Sequence, residues 1–148
     1  MWTRFSINAK NSVGLANVEA YRCGESSVCT DHLLLGLLRT PDSGAGRVLE
    51  AFEVDVPSIC DSLAGPETCA DTPTCTLPLT PAVRMVIEAA HSEACGLASP
   101  VVGSEHLLLA LIQDGRGRAG ALLRSQGVDL ETARAHAQAL KAEEPAAD

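Results

Sequence analysis

Two stretches of the chain place small apolar residues three or four positions apart. Behind Ser6 they are Ala9, Val13, Ala16 and Ala20; behind Thr80 and Pro81 they are Val83, Ile87, Ala90 and Ala94. That spacing follows the 3.6-residue period of an α-helix. A hydroxyl residue before the run, with proline at the first helical position of the second, marks a helix start. Each stretch is followed by a nearly unbroken apolar run, TDHLLLGLL at 30–38 and SEHLLLALI at 104–112. A helix that is apolar all round belongs inside the protein. Thr30 and Ser104 are the expected caps of these two helices. Asp31 and Glu105 then fall in the first turn, where unpaired N–H groups and the helix dipole favour an acid.

Glycine-containing turns come next, TPDSGAG at 40–46 and DGRGRAG at 114–120, leading into short helices that carry Val48 and Leu49 or Leu122 and Leu123. Asp55 and Asp129 are expected to cap a fourth helix in each set, and Gly127 to stop the helix before it. Period-two alternation is absent, so no strand competes. Displaced by 74 positions (30 to 104), the chain aligns with itself without a gap from Phe5/Leu79 to Val56/Leu130. Ala16, Glu19 and Ala20 match Ala90, Glu93 and Ala94, and Val54 and Asp55 match Val128 and Asp129. This is an internal duplication. The pattern predicts an all-α protein of two pseudo-symmetric four-helix repeats, eight helices in one globular domain. The first repeat spans 1–64 and the second 79–141; a Pro- and Thr-rich linker covers 65–78, and an acidic tail covers 142–148.

Composition narrows the function more than the fold. The 148 residues are 46% hydrophobic, enough for one buried core, but only 3% aromatic, so that core is built from Leu, Val, Ile and Ala. A net charge of −8 opposes nucleic acid and anionic lipid. No apolar run approaches the ~20 residues of a membrane span. A cytoplasmic protein with reduced thiols and no nucleic-acid or membrane partner is expected. The six cysteines lack short CxxC spacing; His91 with Cys95 and Cys29 with His32 are the nearest approaches to a metal pair. No metal and no cofactor is expected, and the thiols read as buried and inert.

His32 and His106 follow the two acids and invite a catalytic reading. No GxSxG elbow, Cys/His signature, HExxH pattern or GxxxxGK[ST] loop accompanies them. No catalytic residue is assigned, and each ring is expected to hydrogen-bond the neighbouring segment.

The double [ST][DE]HLLL[GA]L motif, the opening MWTRFS, the segment LTPAVRMVIEAAHSEA and the ending GVDLETARAHAQAL resemble the duplicated N-terminal repeat of ClpC-type and related Clp unfoldases. The resemblance runs from about Trp2 to Leu140. It implies a non-enzymatic helical module that receives substrates and adaptors of a ClpC-type unfoldase, here expected as a free-standing protein. In bacterial ClpC-like relatives each repeat holds a phosphorylated arginine, the acid taking the guanidinium and the first helix's hydroxyl and amides facing the phosphate. Position by position, this implies Ser6 with Asp31 and Thr80 with Glu105, with Asp31 one methylene shorter than Glu. Actinobacterial members bind cyclic peptide antibiotics between the two first helices, which implies a peptide surface at Trp2, Val13, Leu79, Arg84 and Glu88. An accessory subunit that docks on a Clp protease without a small ligand is the alternative.

Overall fold

Ser6 and Thr80 open their helices as the sequence predicts. Each has extended backbone angles, and its hydroxyl oxygen accepts the third helical amide: Ala9 N–H at 3.1 Å and Val83 N–H at 3.3 Å. The computed structural model describes residues 4–40, 43–63, 76–114 and 117–143. Among them are α1 (Ile7–Arg22), α2 (Thr30–Leu38), α3 (Gly44–Ala51), α4 (Val56–Leu63), α5 (Pro81–Gly96), α6 (Ser104–Asp114), α7 (Arg118–Ser125) and α8 (Leu130–Glu143). The fold is all-α, two copies of one four-helix unit. Asp55 and Asp129 accept the amides of Ser58 and Thr132 at 3.2 and 2.9 Å, capping α4 and α8. Gly127 takes φ +83, a left-handed conformation that suits glycine just past the end of α7.

The leucine helices are the centre of the core. Leu33, Leu34, Leu35, Leu37, Leu107, Leu108, Leu109 and Leu111 are each at most 2% exposed, and burial of each such side chain stabilises the fold by about 1.5–3 kcal/mol. In each repeat the long amphipathic helix packs against its leucine helix, α1 on α2 and α5 on α6. The first pair approaches so closely at Gly36 that a Cβ there would collide with the carbonyl oxygen of Ser12 and reach 3.0 Å from the nitrogen of Ala16. The matching position in the second repeat is Ala110. Beside it a cleft of about 260 Å³ is lined by Met85, Val86, Ala89, Ala110, Gln113 and Asp114.

The caps of the leucine helices differ from expectation. Thr30 and Ser104 are the first helical residues, and the capping positions fall one residue earlier, on Cys29 and Gly103, whose carbonyls accept from Leu33 and Leu107. The displaced hydroxyl of Ser104 serves the other repeat, accepting the Ala45 amide at the start of α3 at 3.1 Å. Symmetrically, Gly117 before α7 lies against Thr30, whose Oγ1 would be 3.2 Å from a Cβ at 117.

The repeats exchange backbone as well as side chains. Phe5 forms a parallel bridge with Val102, and Val28 with Leu79, each a single rung outside any strand. The Ser6 amide donates to Val102 and the Thr80 amide to Val28, both at 3.0 Å; Val102 and Val28 donate in turn to Arg4 at 2.7 Å and Pro78 at 2.9 Å. The two sets are related by the same 74-residue displacement. Pro78 and Leu77, expected at the end of the linker, are therefore held on the first repeat, and the Leu77 amide also donates to Asn17 Oδ1 at 2.8 Å. The rest of the expected linker, 65–75, and most of the acidic tail lie outside the described residues.

Candidate functional site

The [ST][DE]H motif is first a folding device. His32 is the third residue of α2 and its Nδ1 accepts the amide of Cys29 at 3.1 Å; His106 Nδ1 accepts the amide of Gly103 at 2.8 Å. Each imidazole closes a helix N-terminus from the third position, as Glu or Gln does in a capping box. Both rings are buried. An Nδ1 that accepts an amide carries no proton, so the neutral form protonated at Nε2 fits this role.

The exchange between repeats changes how the expected site residues are grouped. In the first repeat, Ser12 lies by Thr40 and Ala16 by Gly36, so α1 and α2 run antiparallel and Asp31 sits toward the far end of α1 from Ser6. Ser6 is instead bonded to Val102, three residues before Glu105, and Thr80 to Val28, three residues before Asp31. Through these bonds the start of α1 lies beside the α6 start that carries Glu105, and the start of α5 beside the α2 start that carries Asp31. A parallel rung places the start of each long helix beside the start of the other repeat's leucine helix, and no antiparallel hairpin brings its two far ends together.

The two composite sites differ chemically. At the α1 start the amides of Ile7 and Asn8 have no acceptor within the helix, whereas α5 begins with Pro81, which has no N–H. Glu105 folds back over Gly103, where a Cβ would meet its carboxyl carbon at 2.7 Å, and its Oε1 lies 3.6 Å from His106 Nδ1. The position matching Gly103 is Cys29, whose Sγ lies 3.3 Å from His32 Nδ1. Asp31, 24% exposed, meets Arg118 of the second repeat at 3.4 Å. Burial pushes the Cys29 thiol up, but the bonds and charge of His32 outweigh it and hold the thiol below its ordinary value. Burial likewise disfavours charge on His32, yet its contact with Cys29, with the charges of Glu25 and Asp31, raises it above the ordinary imidazole value.

The other expected residues are more dispersed. Trp2 lies outside the described residues. Val13 and Leu79 are half-buried against the core, while Arg84 and Glu88 are exposed one turn apart on α5. Among the described residues α1 and α5 make no close backbone contact, whereas each contacts both α2 and α6. The expectation of buried cysteines is corrected too: Cys23, Cys29 and Cys60 are half-buried and Cys95 is exposed. Cys69 and Cys75 lie outside the described residues. His91 packs edge-on against Phe5 at 5.2 Å, across the repeat boundary. Among the described residues no three His, Cys, Asp or Glu side chains are grouped as metal ligands, and no helix is long and apolar enough to cross a membrane.

The family model for the Clp repeat (R) N-terminal domain matches residues 4–126 and 78–148, a double match that spans the duplication. The chain belongs to the Clp N-terminal repeat family. It is 35% identical over 134 residues to the negative regulator of genetic competence ClpC/MecB of Bacillus subtilis, covering 90% of this chain and 16% of that protein. To the chaperone protein ClpB of Oceanobacillus iheyensis it is 34% identical over 134 residues, covering 90% of this chain and 17% of that one. The chain thus spans about a sixth of the length of these relatives. Among solved structures it resembles a ClpV N-domain in complex with a VipB peptide, with a TM-score of 0.72 and 17% identity over 90% of this chain and 84% of that one.

Proposed function

We propose that the chain is a non-enzymatic binding module that captures proteins directed to a Clp protease, reading a phosphorylated arginine at two composite sites. The observation that carries this reading is the bond from each long helix's start to the other repeat, Ser6 to Val102 and Thr80 to Val28, three residues before the acids Glu105 and Asp31. A helix start attracts a phosphoryl group, and a carboxylate takes a guanidinium in a forked geometry. Phosphoarginine presents both charges on one side chain. The Ser6/Glu105 site has one more donor, because Ile7 brings an amide where Pro81 brings none, while Asn8 and Ala82 each bring one. Regulation of a ClpC-type unfoldase follows from this binding; capture of cyclic peptides aimed at it would use the separate surface that includes Val13, Leu79, Arg84 and Glu88. Isothermal titration with phosphoarginine, against unmodified arginine, tests the reading. Saturable binding that Glu105→Ala weakens and Asp31→Ala/Glu105→Ala abolishes supports it; no binding by the native protein rejects it.

A second reading, docking on a Clp complex with no small ligand, is favoured by the α5–α6 cleft. Met85, which lines it, is 51% exposed, one of three large apolar side chains left to solvent among the described residues. Met85→Lys would then abolish co-purification with a ClpC-type ring while leaving phosphoarginine titration unchanged.

A further inference from the structure

The carboxylate of Asp31 already faces a guanidinium, and it belongs to this chain. Arg118, the first residue of α7, places an NH2 nitrogen 3.4 Å from Asp31 Oδ2. Nothing in α7 itself calls for a cation at that position. A helix N-terminus carries partial positive charge and disfavours Arg, and the capping residue, Gly117, has no side chain to offer. The start of α7 lies against Thr30, directly before Asp31. The corresponding contact between α3 and α6 has glycine, Gly44, at the position of Arg118, so the duplication does not supply a matching arginine.

We infer that Arg118 is a built-in competitor at the Thr80/Asp31 site, its guanidinium standing where the arginine of a ligand would bind. The inference rests on the reading of these acids as guanidinium acceptors. A ligand at Asp31 must first displace Arg118, a residue whose counterpart in the first repeat is Gly44. The arginine is 64% exposed and makes a single long contact with the acid, so it is displaceable and weakens the site without sealing it. Exposed ion pairs of this kind correspond to about a threefold to fivefold penalty on a competing cation. Regulation follows from the same contact, because any partner that draws Arg118 away opens the second site.

The test is two-dimensional NMR of the ¹⁵N-labelled full chain titrated with methylguanidinium chloride, then with phosphoarginine, for native protein, Arg118→Ala and Arg118→Lys. The amides of Asp31 and His32 report one site, and those of Glu105 and His106 report the other. The expected result is a methylguanidinium midpoint at Asp31 and His32 about threefold to fivefold lower in Arg118→Ala. The lysine variant should fall between, and the Glu105 midpoint should be unchanged in all three. An unchanged or higher midpoint at Asp31 in Arg118→Ala overturns the inference, and a higher one makes Arg118 part of the ligand cradle. Phosphoarginine that moves neither pair of amides rejects the phosphoarginine reading, while the methylguanidinium result still decides the competitor.

Discussion

The backbone amide of Ser6 donates to the carbonyl of Val102 at 3.0 Å, so the cap that opens the first repeat is seated on the second. Thr80 stands in the same relation to Val28. Phe5 and His91, and Phe52 and His136, add two edge-on ring contacts across the boundary. Neither half keeps these partners alone. Separately produced segments 1–64 and 76–148 are expected to show reduced far-ultraviolet helicity and broad melting. Mixing them should restore a cooperative transition, and the intact chain should unfold in urea as one transition. Two resolved transitions in the intact chain would show that the halves are independent domains.

Close packing at Gly36 gives a sharper test. A methyl group there meets backbone, the Ser12 carbonyl and the Ala16 nitrogen, which cannot swing aside. Overpacking of this kind costs about 1–3 kcal/mol, against a helix-propensity gain of about 1 kcal/mol for alanine. Gly36→Ala is expected to lower the urea midpoint despite that gain. A midpoint equal to or above that of the native protein would show that α1 and α2 separate without cost.

Most of the fold is legible in the sequence because the information sits in side chains. Alanines at helical spacing set the buried faces of α1 and α5, and Ser6, Thr80, Asp55 and Asp129 mark helix starts that the structure keeps. The capping positions of α2 and α6 were less legible. Thr30 and Ser104 are favourable cap residues, but their hydroxyl groups lie at contacts with the other repeat, and the caps fall on Cys29 and Gly103. The grouping of the site was not legible at all. It depends on backbone bonds between Ser6 and Val102 and between Thr80 and Val28, and a backbone amide leaves no mark on residue type. The divergence of the two sites could have been found by comparing copies position by position: Cys29 against Gly103 and Arg118 against Gly44 are both departures within the duplicated segment.

Cys29 is the departure with the clearest chemical consequence. Its sulfur lies at a helix start, 3.3 Å from His32 Nδ1, and is half-buried. The helix start and the histidine favour thiolate, and together they outweigh the burial that opposes it. Because the thiol is held below its ordinary value, a larger fraction is thiolate at any pH below that value, and alkylation begins at lower pH. Mass-spectrometric mapping of iodoacetamide labelling against pH is expected to place the Cys29 midpoint below the ordinary thiol value of about 8.5. His32→Ala should move the midpoint up. A midpoint at or above the ordinary value in the native protein would mean that burial prevails over the histidine.

The acids Glu19 and Glu93 occupy equivalent buried positions but have found different arginines. Glu19 pairs with Arg39 at the end of α2 at 2.5 Å, and Glu93 with Arg134 on α8 through two bonds, Nε to Oε2 at 3.0 Å and NH2 to Oε1 at 2.5 Å. The second pair fixes α8 to α5 through a forked contact that only a guanidinium supplies. Removing the arginine leaves the Glu93 carboxylate buried without that partner, which in a closed interior costs 3–5 kcal/mol. Arg134 is 40% exposed, so water can reach the vacated place and the cost falls to about 1–2 kcal/mol. Arg134→Ala is expected to lower the unfolding free energy by that amount, read from urea denaturation. Arg134→Lys should recover only part of it, and Glu93→Gln/Arg134→Ala should be less destabilised than Arg134→Ala alone. Equal stability of the lysine variant and the native protein would show that charge, not the fork, holds α8 in place.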